Sequence, residues 1–286
     1  MDTSDYKLLI TKKYVKMNGF NLIIKSDEDD IDAAEVYVDG IIDGRKYRFI
    51  LDTGAAKTLV QFDEYTSKFD SIQKNNSSGV FADIKDDLIT VPYIKLGPIS
   101  KSDFTLARSS QNYSNIQNLI GMDLLKNFCL HFLFDENRVL VDSSKGIHNY
   151  KNVQELILGE KFHPYIKVQF KELKVTAVWD TGAGITVVNI KFIKKNPSFF
   201  EEIGKSKGTD STGAKLETPM FTMQKIVIDN IEFPSHVVAG VDLTHINSTT
   251  EIPMDLILGY STISKANWIF DFPNKKWAIL KMLSKK

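Results

Sequence analysis

The sequence predicts an all-β protein, mostly strand with a few short helices, folded as two β-barrel-like lobes related by a pseudo-twofold axis. Three observations carry that expectation. Short β-branched or aromatic runs recur about every ten residues between Gly, Pro, Asn and Asp, the spacing of strands joined by tight turns. Few windows show the apolar period of a long amphipathic helix. The chain also repeats itself: Tyr47-Arg48-Phe49-Ile50-Leu51-Asp52-Thr53-Gly54-Ala55 is echoed by Val175-Thr176-Ala177-Val178-Trp179-Asp180-Thr181-Gly182-Ala183, an offset of 180 − 52 = 128 residues.

Taken in chain order, residues 1–32 form an N-terminal extension with the acidic run Asp27-Glu28-Asp29-Asp30, for which the second half offers no recognisable counterpart. The first lobe, residues 33–142, is expected to place strands at 35–38 and 90–96 and a brief helix at 61–69. Asn118-Leu119-Ile120-Gly121-Met122 then opens a helix-compatible stretch over 122–127, followed by a hairpin over 132–141. A polar connector, residues 143–160, contains Ser143-Ser144-Lys145-Gly146. The second lobe, residues 161–286, repeats the order with strands at 165–170 and 225–228 and a brief helix at 189–195. Its Leu256-Ile257-Leu258-Gly259-Tyr260 answers the Gly121 segment at an offset of 259 − 121 = 138, and a helix-compatible stretch and a hairpin over 268–280 follow.

A length of 286 residues suits two globular units of about 150 residues each. Apolar residues make up 43% and charged residues 25%, the balance of an ordinary globular chain rather than a disordered one. Lys and Arg number 36 against 36 Asp and Glu, so no net field draws the chain to nucleic acid or to an anionic membrane. No apolar run reaches the ~18 residues of a membrane span, and the start, Met1-Asp2-Thr3-Ser4-Asp5, is acidic and lacks the apolar run of an export signal. A soluble, cytoplasmic protein is expected. The single cysteine, Cys129, rules out an internal disulfide and reads as buried packing. His131, His148, His163, His236 and His245 are scattered without ligand spacing, so no metal or cofactor is expected.

An Asp at the end of an apolar strand, followed by a hydroxyl residue and Gly, is a carboxylate on a tight loop whose backbone can approach another segment closely. One copy could be a local Asx turn. Two copies in matching repeats are different, because a twofold assembly brings Asp52 beside Asp180. Two adjacent carboxylates cannot both ionise readily, and the pair holds one proton between them; aspartic proteases are the worked example of this principle.

On these residues, Asp52-Thr53-Gly54-Ala55 and Asp180-Thr181-Gly182-Ala183 with Leu119-Ile120-Gly121 and Ile257-Leu258-Gly259 downstream, the chain resembles the aspartic peptidases, in particular the retropepsin-like branch with two lobes fused in one chain. The resemblance implies the acid-protease fold, Asp52 and Asp180 as catalytic dyad, and Thr53, Gly54, Thr181 and Gly182 as its support. It further implies a peptide or protein substrate, no cofactor, and a monomer carrying both halves of the site. Flap hairpins are expected to close over the cleft at Gly79, Val80 and Phe81 and at Ser211, Thr212 and Gly213. Two other readings compete. A non-catalytic peptide-binding module on the same fold would keep the cleft without turnover, and an actin-like or sugar-kinase-type nucleotide-binding protein would use repeated Asp-x-Gly loops on helix-rich α/β lobes.

Overall fold

In the computed structural model, the described residues are 17–28, 30, 32–80, 82–110, 116–142, 147, 150, 152–209 and 213–284. Among the described residues, strands account for 54% and helix for 10%. The longest described helix, Ile190–Lys195, has six residues, so the helix-rich lobes that the nucleotide-binding reading needs are not found among the described residues.

Alternation builds the strands. Along Ala34–Ile42 every second residue from Ala34 to Ile42 is buried, and the strand turns back into Arg45–Leu51 through Asp43 and Gly44, both at positive φ (45° and 82°). That pair of left-handed residues is the hairpin turn whose twist matches the strands it joins.

The first half is an eight-stranded sheet. Within it, Leu119–Ile120 lies between Arg45–Leu51, to which it is parallel, and Leu59–Val60, to which it is antiparallel. The second half repeats this arrangement in a ten-stranded sheet, where Leu256–Leu258 lies parallel to Leu173–Trp179 and antiparallel to Val187–Asn189. In each half the next neighbour runs parallel: Ile99–Ser109 beside Leu59–Val60, and His236–Val241 beside Val187–Asn189.

A six-stranded sheet joins the halves. Its centre is Cys129–Leu133 paired antiparallel with Ala266–Asp271, His131 facing Ile269. The separation of those two, 269 − 131 = 138, equals the offset between Gly121 and Gly259, so equivalent residues face each other and a local twofold axis passes between them. The residues expected to form an extension and a connector contribute to this frame. Gly19–Asn21 pairs with Arg138–Leu140 at one edge, and Gln154–Glu155 pairs with Lys276 and Trp277 at the other, so the first of these segments does have a counterpart. Ile23–Ser26 and Ile157–Leu158 likewise each add a strand to their own half.

Beneath the shared sheet an aromatic cluster fills the space between the halves. Trp179 packs against Phe132 at 4.7 Å and Phe270 at 4.5 Å between ring centroids, with Trp268 and Trp277 beyond. Trp179 immediately precedes Asp180, so this packing fixes the base of the second Asp loop.

Candidate active site

Each Asp-Thr-Gly segment follows the end of a buried strand, and the strand from downstream locks it there. Asp52 N donates to the Ile120 carbonyl and Asp180 N to the Leu258 carbonyl, each at 3.0 Å. The far side of each loop is tied as well: Met122 N donates to Ala55 O and Tyr260 N to Ala183 O, each at 2.8 Å. The glycines between these bonds allow the threading. A Cβ on Gly121 would lie 2.4 Å from the Lys57 carbonyl carbon, and one on Gly259 would lie 2.3 Å from the Ile185 oxygen.

The two loops meet. Thr53 N donates to Thr181 Oγ1 at 3.2 Å and Thr181 N donates to Thr53 Oγ1 at 3.1 Å, while the Thr53 hydroxyl donates to the Trp179 carbonyl at 2.9 Å. Both threonines are buried. Asp180 Oδ1 accepts from Gly54 N of the opposite loop at 3.0 Å and from Gly182 N of its own at 2.8 Å. Asp52, Thr53 and Gly54 are thus brought together with Asp180, Thr181 and Gly182.

Burial drives the electrostatics. Both carboxyls are pushed above the ordinary carboxylate range, first by loss of water, and Asp52 is pushed well above it with the adjacent Asp180 charge adding to the effect. Asp180 gains more from donors, since the Gly54, Gly182 and Ala183 amides and the Asp52 side chain all favour its charged form. The pair therefore holds one proton between them.

The carboxylates open into a cavity of about 510 Å³ lined by both halves. Leu59, Ile84 and Leu119 form an apolar wall on one side, and Val178, Val241, Met254 and Ile257 on the other. Gly79 and Val80 lie at the tip of the hairpin made by Gln73–Ser78 and Asp83–Leu96, closed by Gly79 N donating to the Ala82 carbonyl at 2.7 Å. This tip reaches across to the second half, where Val80 packs on the cluster containing Val178 and Met254 and Asp83 Oδ1 lies 3.1 Å from His245 Nε2. Gly213 lies at the tip of the corresponding hairpin, Phe200–Thr209 with Lys215–Met223, whose Gly208, Thr209 and Thr218 line the cavity. Phe81, Ser211 and Thr212 lie outside the described residues.

Four further residues belong to the site. Thr58 Oγ1 accepts from Gly121 N and Thr186 Oγ1 from Gly259 N, each at 3.1 Å, pinning the downstream glycine against the loop. Their separation, 186 − 58 = 128, is that of the aspartates, so the repeated motif runs seven residues, Asp52-Thr53-Gly54-Ala55-Ala56-Lys57-Thr58 and Asp180-Thr181-Gly182-Ala183-Gly184-Ile185-Thr186. That signal is present in the sequence. Lys161 and His163 also line the cavity, and burial, with Lys161 adding repulsion, pushes the His163 ring down to about 4, so the imidazole is neutral near pH 7. Nothing local in the sequence marks these two. Compared with models of known protein families and with curated proteins, the chain matches none.

Proposed function

We propose that this chain is an aspartic endopeptidase of the retropepsin-like type with two fused lobes, hydrolysing peptide bonds with a water activated between Asp52 and Asp180. The observation that carries the reading is the reciprocal contact of the two loops: each threonine hydroxyl accepts from the opposite threonine amide, and the Gly54 amide donates to the opposite carboxylate. A turn that merely satisfied its own amides would not need a partner of the same sequence buried against it.

In the proposed reaction charged Asp180 takes a proton from the water as its oxygen bonds to the scissile carbonyl carbon, while protonated Asp52 donates to the carbonyl oxygen. Collapse of the tetrahedral intermediate breaks the C–N bond and returns a proton to the leaving amine. The apolar walls seat side chains on either side of that bond, and the hairpin tips exclude bulk water. A polypeptide is the proposed substrate, and one chain supplies the whole site.

The test is incubation with a diverse peptide library and location of the cuts by mass spectrometry, repeated with Asp52→Asn and Asp180→Asn. Each variant keeps the shape of the loop but loses an acid or base worth about 10²–10⁴-fold in rate. Undiminished cutting in either variant refutes the dyad, and peptide bound but never cut by the unaltered chain favours the binding module.

A further inference from the structure

The two hairpins of the shared sheet are equivalent by the 138-residue offset, yet the polar groups they bury differ. Cys129, His131 and Asp142 are at most 6% exposed. In the second hairpin the ladder shifts by one residue beside Asn267, so the counterparts are Asn267, Ile269 and Lys281, and the Asn267 amide and the Lys281 ammonium both donate to Asp135, at 2.7 and 2.9 Å. The same place in this sheet is thus built with an amide and an ammonium in one hairpin and with a thiol, an imidazole and a carboxylate in the other.

Strand geometry brings the three together. Cys129 and His131 are two residues apart on one strand and so point to the same face, and Asp142 stands directly opposite Cys129 in the antiparallel ladder, on that face too. One ligand atom from each, sulfur, ring nitrogen and carboxylate oxygen, lies within 4.8 Å of the others. His131 Nε2 and Asp142 Oδ2 are 3.5 Å apart. A charge-assisted N–H···O bond closes to about 2.7–2.9 Å, whereas nitrogen and oxygen sharing a tetrahedral ion at about 2.0–2.2 Å stand roughly 3.3–3.5 Å apart. The separation fits the edge of a coordination tetrahedron.

We propose that Cys129, His131 and Asp142 bind a zinc ion. Sulfur, nitrogen and oxygen together suit this borderline-soft cation, whereas magnesium and calcium favour oxygen alone. Binding releases the Cys129 proton, and the resulting thiolate and carboxylate balance the two positive charges while the imidazole stays neutral. The ion and its three ligands together then carry no net charge; the buried Asp271 carboxylate, opposite Cys129 in the shared sheet, is held apart by Ile147 N at 3.1 Å and the Asn274 amide at 2.9 Å. Ile147, Ile269 and Ala278 surround it with Val153 and Leu280, and the Tyr150 ring stands edge-on to His131 at 5.8 Å between centroids. The ion keeps its three protein ligands and a water in its fourth position. It sits beside the twofold axis and ties the first hairpin's two strands together where they meet the second half.

Because the cluster is buried, the metal enters as the chain folds, so the protein is produced in minimal medium supplemented with zinc and its metal content measured by mass spectrometry after dialysis. One zinc per chain is expected. The Asp52→Asn, Asp180→Asn double variant retains it, which separates this site from the cleft, and Cys129→Ala and Asp142→Asn lose it. Production with cobalt yields the visible bands of a tetrahedral ion and a thiolate-to-cobalt charge-transfer band, the latter absent in Cys129→Ala. Folded wild-type protein free of zinc overturns the proposal, as does zinc retained in full by Cys129→Ala; the first result does not depend on any variant folding.

Discussion

Gly54→Ala tests how closely the two halves must approach. A Cβ at Gly54 would lie 2.4 Å from Asp180 Oδ2 and 2.6 Å from its Cγ; ordinary contact starts at 3.4 Å, so the carboxylate must retreat by 3.4 − 2.4 = 1.0 Å. Asp180 is not free to yield, since its Oδ1 is fixed by Gly54 N at 3.0 Å and Gly182 N at 2.8 Å, and moving it breaks the bond between the loops. The opposite glycine meets the same obstacle, with a Gly182 Cβ 2.4 Å from Asp52 Cγ. A misplacement of about 1 Å costs on the order of 10²-fold in rate, and overpacking of this kind costs about 1–3 kcal/mol of stability. For a chain of this size that lowers Tm by about 2–4 °C per kcal/mol. The assay is kcat/KM on a peptide chosen from the library, alongside a thermal scan. Both Gly54→Ala and Gly182→Ala should lose about 10²-fold in kcat while remaining folded at the assay temperature. Either variant cutting within a few-fold of wild type would refute the claim that catalysis needs the carboxylates in this contact.

Three further outcomes follow from the same geometry. The folded pair holds a proton between Asp52 and Asp180 that the unfolded chain releases near the ordinary carboxylate pKa, so stability is full below that pKa and falls as pH rises through the raised folded value; each unit of the shift costs about 1.4 kcal/mol at higher pH. Asp52→Asn should therefore raise Tm near neutrality and flatten its pH dependence, and a lower Tm at all pH values would contradict this. The contact between Asp83 and His245 is exposed on both sides, so Asp83→Asn should leave Tm close to that of wild type while KM for a peptide rises by up to about 5-fold as the hairpin tip loosens; an unchanged KM would show that the contact does not hold the tip. Specific activity should stay constant on dilution, because Asp52 and Asp180 come from one chain, and activity that falls steeply with concentration would imply pairing between chains.

The repeat and the strands were legible because both are written in neighbouring residues. Alternation marks Ala34–Ile42 without reference to any other segment, and the Asp-Thr-Gly-Ala copies announce themselves. The helix expected over 61–69 reduces to Thr66–Lys68, since the Asp63 carboxylate accepts from Tyr65 N at 2.8 Å and Thr66 N at 2.7 Å and so offers those amides a turn in place of a longer helix. At 189–195 the Asn189 side chain instead accepts from Lys191 N and caps Ile190–Lys195. His163 and Lys161 were not legible because they reach the cavity through the packing of the second half on the first. The proximity of His131 to Cys129 and Asp142 depends on a strand register rather than on the spacing of a helix or finger, and that register is set by a hairpin whose pairing only the fold displays.

The insertion of Leu119–Ile120 and Leu256–Leu258 into the two sheets has a consequence for the order in which the molecule can be assembled. Ile50 waits for Leu119, 119 − 50 = 69 residues later, and Val178 waits for Ile257, 257 − 178 = 79 residues later. Loop closure over such distances is slow compared with hairpin formation, and until it occurs each Asp loop lacks the strand that anchors its first amide. The first half can complete its loop while the second is still being synthesised, as domains emerging from the ribosome generally do. The meeting of the two loops comes later, because the strand that docks the halves, Ala266–Asp271, is made after both Asp loops. A nascent chain that has not reached this strand therefore lacks the pairing that docks the two halves, and its two Asp-Thr-Gly loops have yet to be brought together.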